Sequence, residues 1–192
     1  RGQVPGGGML PGQPQAARGP LVVNWQQVIW RGEMISAKDG RTESYCSAVA
    51  HPAHYAQSQP TLTTELNNII GKVFENPQDR TRALEIKSFL PSASVPGNIP
   101  ACMCIIEQSP PQVLEQSKFR RLHSSLQKHG KSALMLLSTS SGTPRHFLLT
   151  PEGSATGDVR DCRFIGVFLH PAQIQNIISK TGAGPVGQQQ AQ

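Results

Sequence analysis

Apolar and polar residues first alternate with a period of two. Across 28–36, Trp30, Gly32, Met34 and Ser36 share one face, and Ile29, Arg31, Glu33 and Ile35 share the other. That rhythm predicts a strand, with order beginning near Leu21. Asp39-Gly40 is a hairpin-turn pair, and 45–50 reads as the returning strand. Pro52 and Pro60 bound a loop. The period then becomes helical: Leu62, Leu66, Ile69, Ile70, Val73 and Phe74 form one stripe that opens near Thr63, and Asn76-Pro77 ends it. Thr61 or Thr63 is placed to cap this helix. Alternation returns at 83–90, with Leu84, Ile86 and Ser88 opposite Glu85, Lys87 and Phe89.

A Pro- and Ser-rich loop at 91–98 leads into 101–106, a continuous apolar run that suits a strand buried on both faces. Pro110 and Pro111 stand where prolines open helices and predict a helix over 111–129. Its buried stripe would be Val113, Leu114, Phe119, Leu122 and Leu126. Its other surface would be Lys118, Arg120, Arg121, His123, Lys128 and His129, with Gly130 as C-terminal cap. The runs 133–137, 146–149 and 164–169 read as strands, separated by a Ser140-Ser141-Gly142 turn and a polar loop at 150–161. Pro171 starts a short helix, 172–179, with Ile174, Ile177 and Ile178 on one side. Strands and helices do not alternate strictly, which argues against a doubly wound parallel sheet. The expectation is an α+β fold: a mostly antiparallel, seven-stranded β-barrel flanked by about three helices.

Composition divides the 192 residues into three parts. Residues 1–20 (Gly, Pro and Gln) and 181–192 (Gly and Gln) lack an apolar period. Neither can bury enough surface to offset the entropy of ordering, so both are expected to be disordered tails around one interaction domain at 21–180. The chain opens on Arg1, not Met, and reads as a fragment of a longer protein. No run of about 18 apolar residues is present to span a membrane, and no signal peptide is evident. The four cysteines do not form a dense disulfide framework. Cys102 and Cys104 lie two apart in an apolar run and read as small core residues. Thiols in this pattern suit a reducing compartment, the cytosol or nucleus.

Catalytic motifs are missing: there is no phosphate loop, dinucleotide fingerprint or nucleophile elbow. The twelve acidic residues form no close pair in an apolar setting. His54, His123, His129, His146 and His170 sit among polar or basic neighbours, with no local carboxylate and nucleophile to recommend one as a base. The chain is therefore expected not to be an enzyme and to hold no cofactor. The formal net charge is +6, and from Lys118 to Lys131 seven Lys, Arg or His residues stand with no acid. A solvated helix face usually mixes signs to gain pairs one turn apart, so a single-sign face favours an anionic partner. Aromatics are only 5% of the residues, too few for a stacking sheet that binds RNA, and no helix-turn-helix pattern appears.

Several motifs, in order, resemble a known family. The Trp-x-Gly of 28–33 resembles the first strand of the activator-interaction (ACID/PTOV) domain of Mediator complex subunit 25. The succession of 99–108, the helix ending in His129-Gly130, and 133–137 resembles its strand, helix, glycine and strand. The segment 162–171 resembles its closing Arg-apolar-Ile-Gly strand and the proline that follows. The Gln- and Gly-rich flanks resemble that subunit's linkers. The likeness covers 21–180 in patches and departs at 60–98. It implies a seven-stranded barrel with helices and a nuclear coactivator domain that receives acidic transactivation segments of transcription factors, joined to other Mediator subunits through its parent protein. Charge and position place that binding on Lys118, Arg120, Arg121, Lys128, Lys131, Arg145 and Arg163. The SPOC domain, which shares the barrel and the Trp-x-Gly, is the alternative. It would imply binding of phosphorylated or acidic peptides, such as the tail of RNA polymerase II or a corepressor. A nucleic-acid-binding module is a third reading.

Overall fold

The computed structural model describes residues 19–38, 40–56, 60–94, 101–107, 118–158, 160–169 and 171–181. The strands are β1 (Leu21–Val23), β2 (Trp30–Lys38), β3 (Arg41–Tyr55), β4 (Leu84–Pro91), β5 (Ala101–Glu107), β6 (Lys131–Leu137), β7 (Arg145–Glu152) and β8 (Arg163–Leu169). The helices are α1 (Pro60–Val73), α2 (Lys118–Lys128) and α3 (Pro171–Thr181), with 3-10 turns at Pro77–Thr81 and Ser92–Ser94. The expected tails, and the 111–117 part of the predicted basic helix, lie outside the described residues.

Seven strands close a barrel in the order β3-β2-β4-β6-β7-β8-β5, with β5 pairing back onto β3, and β1 lies as a short eighth strand on β3. The barrel is mixed, which corrects the mostly antiparallel expectation: β2 and β4 run parallel, Met34–Ser36 against Leu84–Ile86. The cause is the connection. After the β2–β3 hairpin, α1 and the first 3-10 turn carry the chain past the start of β2, so β4 sets off beside β2 in the same direction. Buried Asp79 fixes this crossover. Its carboxylate accepts from the Ser140 backbone N–H (2.7 Å) and hydroxyl (2.9 Å) and pairs with Arg82.

Trp30 is the anchor of the first long strand. It is 1% exposed, and its indole N–H donates to the Arg82 carbonyl at 2.7 Å. Gly32 explains the Trp-x-Gly spacing, because a Cβ there would stand 2.8 Å from the Trp30 ring. Trp30, Met34, Ala48, Leu84, Ile105, Met135, Phe147 and Phe164 fill the barrel. Ile70, Val73 and Phe74 of the α1 end enter this core, and Phe119, Leu122 and Leu126 of α2 join it near the opposite end. Outside the barrel, Ile174 and Ile177 of α3 cover Leu90, Leu134, Leu148 and Leu169.

Several local expectations change. Pro52 is not in a loop but inside β3, in the gap between the stretches paired with β1 and β2, where its carbonyl accepts from Asn24 N–H at 2.9 Å. No ladder partner needs the missing donor there. α1 begins at Pro60 rather than near Thr63, consistent with proline's fit to a first helical turn. β7 continues to Glu152, shortening the expected loop. Gly130 does end α2: at φ 58° it makes the left-handed exit, and its carbonyl accepts from Ser92 N–H at 2.8 Å.

Candidate functional site

Two bulges shape one end of the barrel. In the β2–β3 pair, Met34 opposes Cys46 and Ile35 opposes Ser44, so Tyr45 is the extra residue. In the β4–β6 pair, Ile86 opposes Met135 and Ser88 opposes Leu134, so Lys87 is extra. A bulge shifts the following residues to the other face. Phe89 therefore pairs with Ala133, in phase with Ile86 and the barrel interior, and not with the polar face where simple alternation put it. It lies at the rim and stays 40% exposed.

Next to Phe89, α2 lies across the barrel end and leaves a groove of about 500 Å³ along its flank. Tyr45, Phe89, Leu122 and Leu126 are its apolar lining. Lys118, Arg121, His129 and Lys131 are its basic lining, with Ser44 and Ser125 between them. Among the described residues, no carboxylate lines it. Lys118 Nζ stands 3.4 Å from the Ser44 carbonyl, and Arg121 makes no ion pair among the described residues.

Of the seven predicted binding residues, Lys118, Arg121 and Lys131 converge on this groove. Arg120 turns away: one guanidinium nitrogen donates to the carbonyls of Ala155 (2.6 Å) and Gly157 (3.0 Å), clamping the loop after β7. Arg163 pairs with Glu152 at 3.0 Å and donates to the Arg160 carbonyl at 3.1 Å, so its charge is largely answered within the fold. Lys128 is exposed near the α2 C-terminus but does not line the groove. Arg145 starts β7 at the far end of the barrel, among Lys72, Asp79 and Ser140.

His123 corrects the expected polar surface of the basic helix. It is fully buried, with its ring 5.3 Å from Phe164 and Nε2 2.8 Å from the Glu152 carbonyl. Burial pushes its pKa below the ordinary histidine value. Hydrogen bonding to the Glu152 and Arg163 backbones opposes that shift, and the Arg120 charge adds to it. His123 thus serves as a neutral core residue that ties α2 to β7. His146 is also lowered, by burial and by Lys87.

Tyr45 and Phe89 are the functional candidates that sequence reasoning missed. For Phe89 a signal was present, since alternation placed an aromatic among Glu85 and Lys87. Tyr45 had none, because a bulge depends on the partner strand. Among the described residues, no three His, Cys, Asp or Glu side chains converge as a metal site. Comparison with family models, curated proteins and solved structures found no match.

Proposed function

We propose that this chain is a non-enzymatic transcription coactivator domain of the Mediator complex, acting in the nucleus, that captures acidic transactivation segments of transcription factors. The observation that carries the reading is the groove. Tyr45, Phe89, Leu122 and Leu126 offer apolar contact, and Lys118, Arg121 and Lys131 edge it with no acid among the described residues. A disordered acidic segment with bulky apolar residues matches both halves: its anchors leave water and its carboxylates meet the cations. The sequence likeness to the activator-interaction domain points to the same partner.

The composition of the rim favours carboxylate over phosphate. A dedicated phosphate site gains from several guanidinium forks in bidentate geometry. Here one arginine lines the groove, while Arg120 and Arg163 are engaged within the fold.

The test is a two-dimensional NMR titration with an acidic, hydrophobic peptide, repeated with a phosphoserine peptide and short DNA. The expected result is contiguous shifts at Tyr45, Phe89 and the α2 face for the acidic peptide. Shifts there with the phosphopeptide alone would replace the reading with a SPOC-like one, and shifts with DNA alone would remove both.

A further inference from the structure

β4 outruns its neighbour. β2 accompanies it only where Met34–Ser36 meets Leu84–Ile86, then reaches Lys38 and turns back into β3. β4 continues to Pro91 with β6 alone beside it. From Lys87 to Pro91, the β4 edge away from β6 has no strand partner among the described residues. This stretch also carries Phe89 into the groove, whose lining includes Ser44 and Tyr45 of β3. The barrel is closed at β2–β4 by three residue pairs and is unzipped beyond them, and the groove lies at that opening.

We infer that the groove takes its partner as an extended segment added to the free edge of β4, and not as an amphipathic helix. This rests on the docking reading above and names the partner's bound form. An unpaired strand edge offers backbone donors and acceptors that an incoming strand can satisfy. Pro91, which lacks an N–H, bounds that edge. The space agrees. A groove of about 500 Å³ beside α2 has room for a few side chains inserted from a flat backbone. The chemistry agrees as well. In a strand successive side chains point to opposite sides. Apolar residues at every second position would meet Phe89, Tyr45, Leu122 and Leu126, and intervening acids would lie toward Lys118, Arg121 and Lys131.

Two synthetic peptides of one composition (Phe, Leu, Asp, Glu, Ser) test this against the full chain. One alternates apolar and acidic residues, and the other spaces its apolar residues at i, i+3, i+4 and i+7. Affinity is read by fluorescence anisotropy and bound conformation by peptide ¹³Cα shifts. The alternating peptide is expected to bind about tenfold tighter, in extended form. N-methylation of its edge-facing amides should weaken it by about tenfold, as loss of one or two backbone hydrogen bonds predicts, while methylation of the alternate amides costs far less. Tighter binding of the helix-spaced peptide, with helical shifts, would overturn the strand inference and leave the docking reading standing. Binding of neither would remove both.

Discussion

Reversing the two α2 charges at the groove separates local electrostatics from net charge. Lys118 and Arg121 are both exposed and line the groove. Among the described residues Lys118 has the 3.4 Å approach to Ser44 and no ion pair, so Lys118→Glu with Arg121→Glu should change folding stability by about 0.5 kcal/mol or less per site. The effect on binding is larger. At about 6 Å in water, one unit charge pair is worth about 0.7 kcal/mol. Reversal exchanges attraction for repulsion, about 1.4 kcal/mol per site and about 2.8 kcal/mol for both, near a hundredfold at low salt. A Debye length of about 8 Å at physiological salt cuts this roughly in half, to about tenfold. The control is Lys128→Glu with Arg145→Glu, which changes net charge equally but lies outside the groove. The assay is anisotropy with an acidic, hydrophobic peptide at two salt concentrations, with thermal melting to confirm folding. A folded groove mutant with parental affinity, or one matched by its control, would refute the assignment.

Three further outcomes are expected. Trp30→Ala should destabilise by about 3–5 kcal/mol in urea denaturation, because it empties a core position and strips the Arg82 carbonyl of its donor; a loss under about 1 kcal/mol would remove Trp30 from the core. Phe89→Ala should cost only about 1–2 kcal/mol of stability, since the ring is part-exposed, yet weaken peptide binding by about tenfold in the anisotropy assay; full affinity would leave the groove without its anchor. Acidification should destabilise the fold: with the His123 pKa lowered chiefly by burial, the unfolded chain binds a proton below about pH 6.5 that the folded chain resists. Stability is then fully present above that pH and falls below it by up to about 1.4 kcal/mol per pH unit, with His146 adding in the same sense. Urea midpoints at pH 7.5 and 5.5 check this, His123→Gln should flatten the dependence, and a midpoint that rises at pH 5.5 would contradict it.

Features written into one segment were legible in the chain. The Trp-x-Gly rhythm located β2, Asp39-Gly40 the hairpin, the Leu-Ile-Val stripe α1, and Gly130 the end of α2. What depends on two segments was not. Pro52 looked like a loop boundary because its carbonyl partner, Asn24, is distant in sequence. The parallel seam between β2 and β4 follows from where α1 and its 3-10 turn place the chain, which no local period encodes. His123 read as one more cation on a basic helix; its burial is set by Phe164 and the Glu152 carbonyl on other strands.

The candidate site follows the same division and shows why charge alone overstates it. Lys118, Arg121 and Ser125 share a helix face by spacing, and all three line the groove. Arg120 and Arg163 carry the same charge but meet carbonyls and a carboxylate across the fold, which makes them structural clamps. The apolar half of the groove depends on registers. With Lys87 paired in regular alternation, Phe89 would keep the face of Glu85 and leave the mouth of the barrel. Deleting Lys87 removes the extra residue yet leaves Ser88 opposite Leu134 and Phe89 opposite Ala133, so that variant should fold with β4 in regular alternation and keep the Phe89 anchor, with parental peptide affinity in the anisotropy assay. The two bulges, more than the basic run, distinguish a groove from a charged surface.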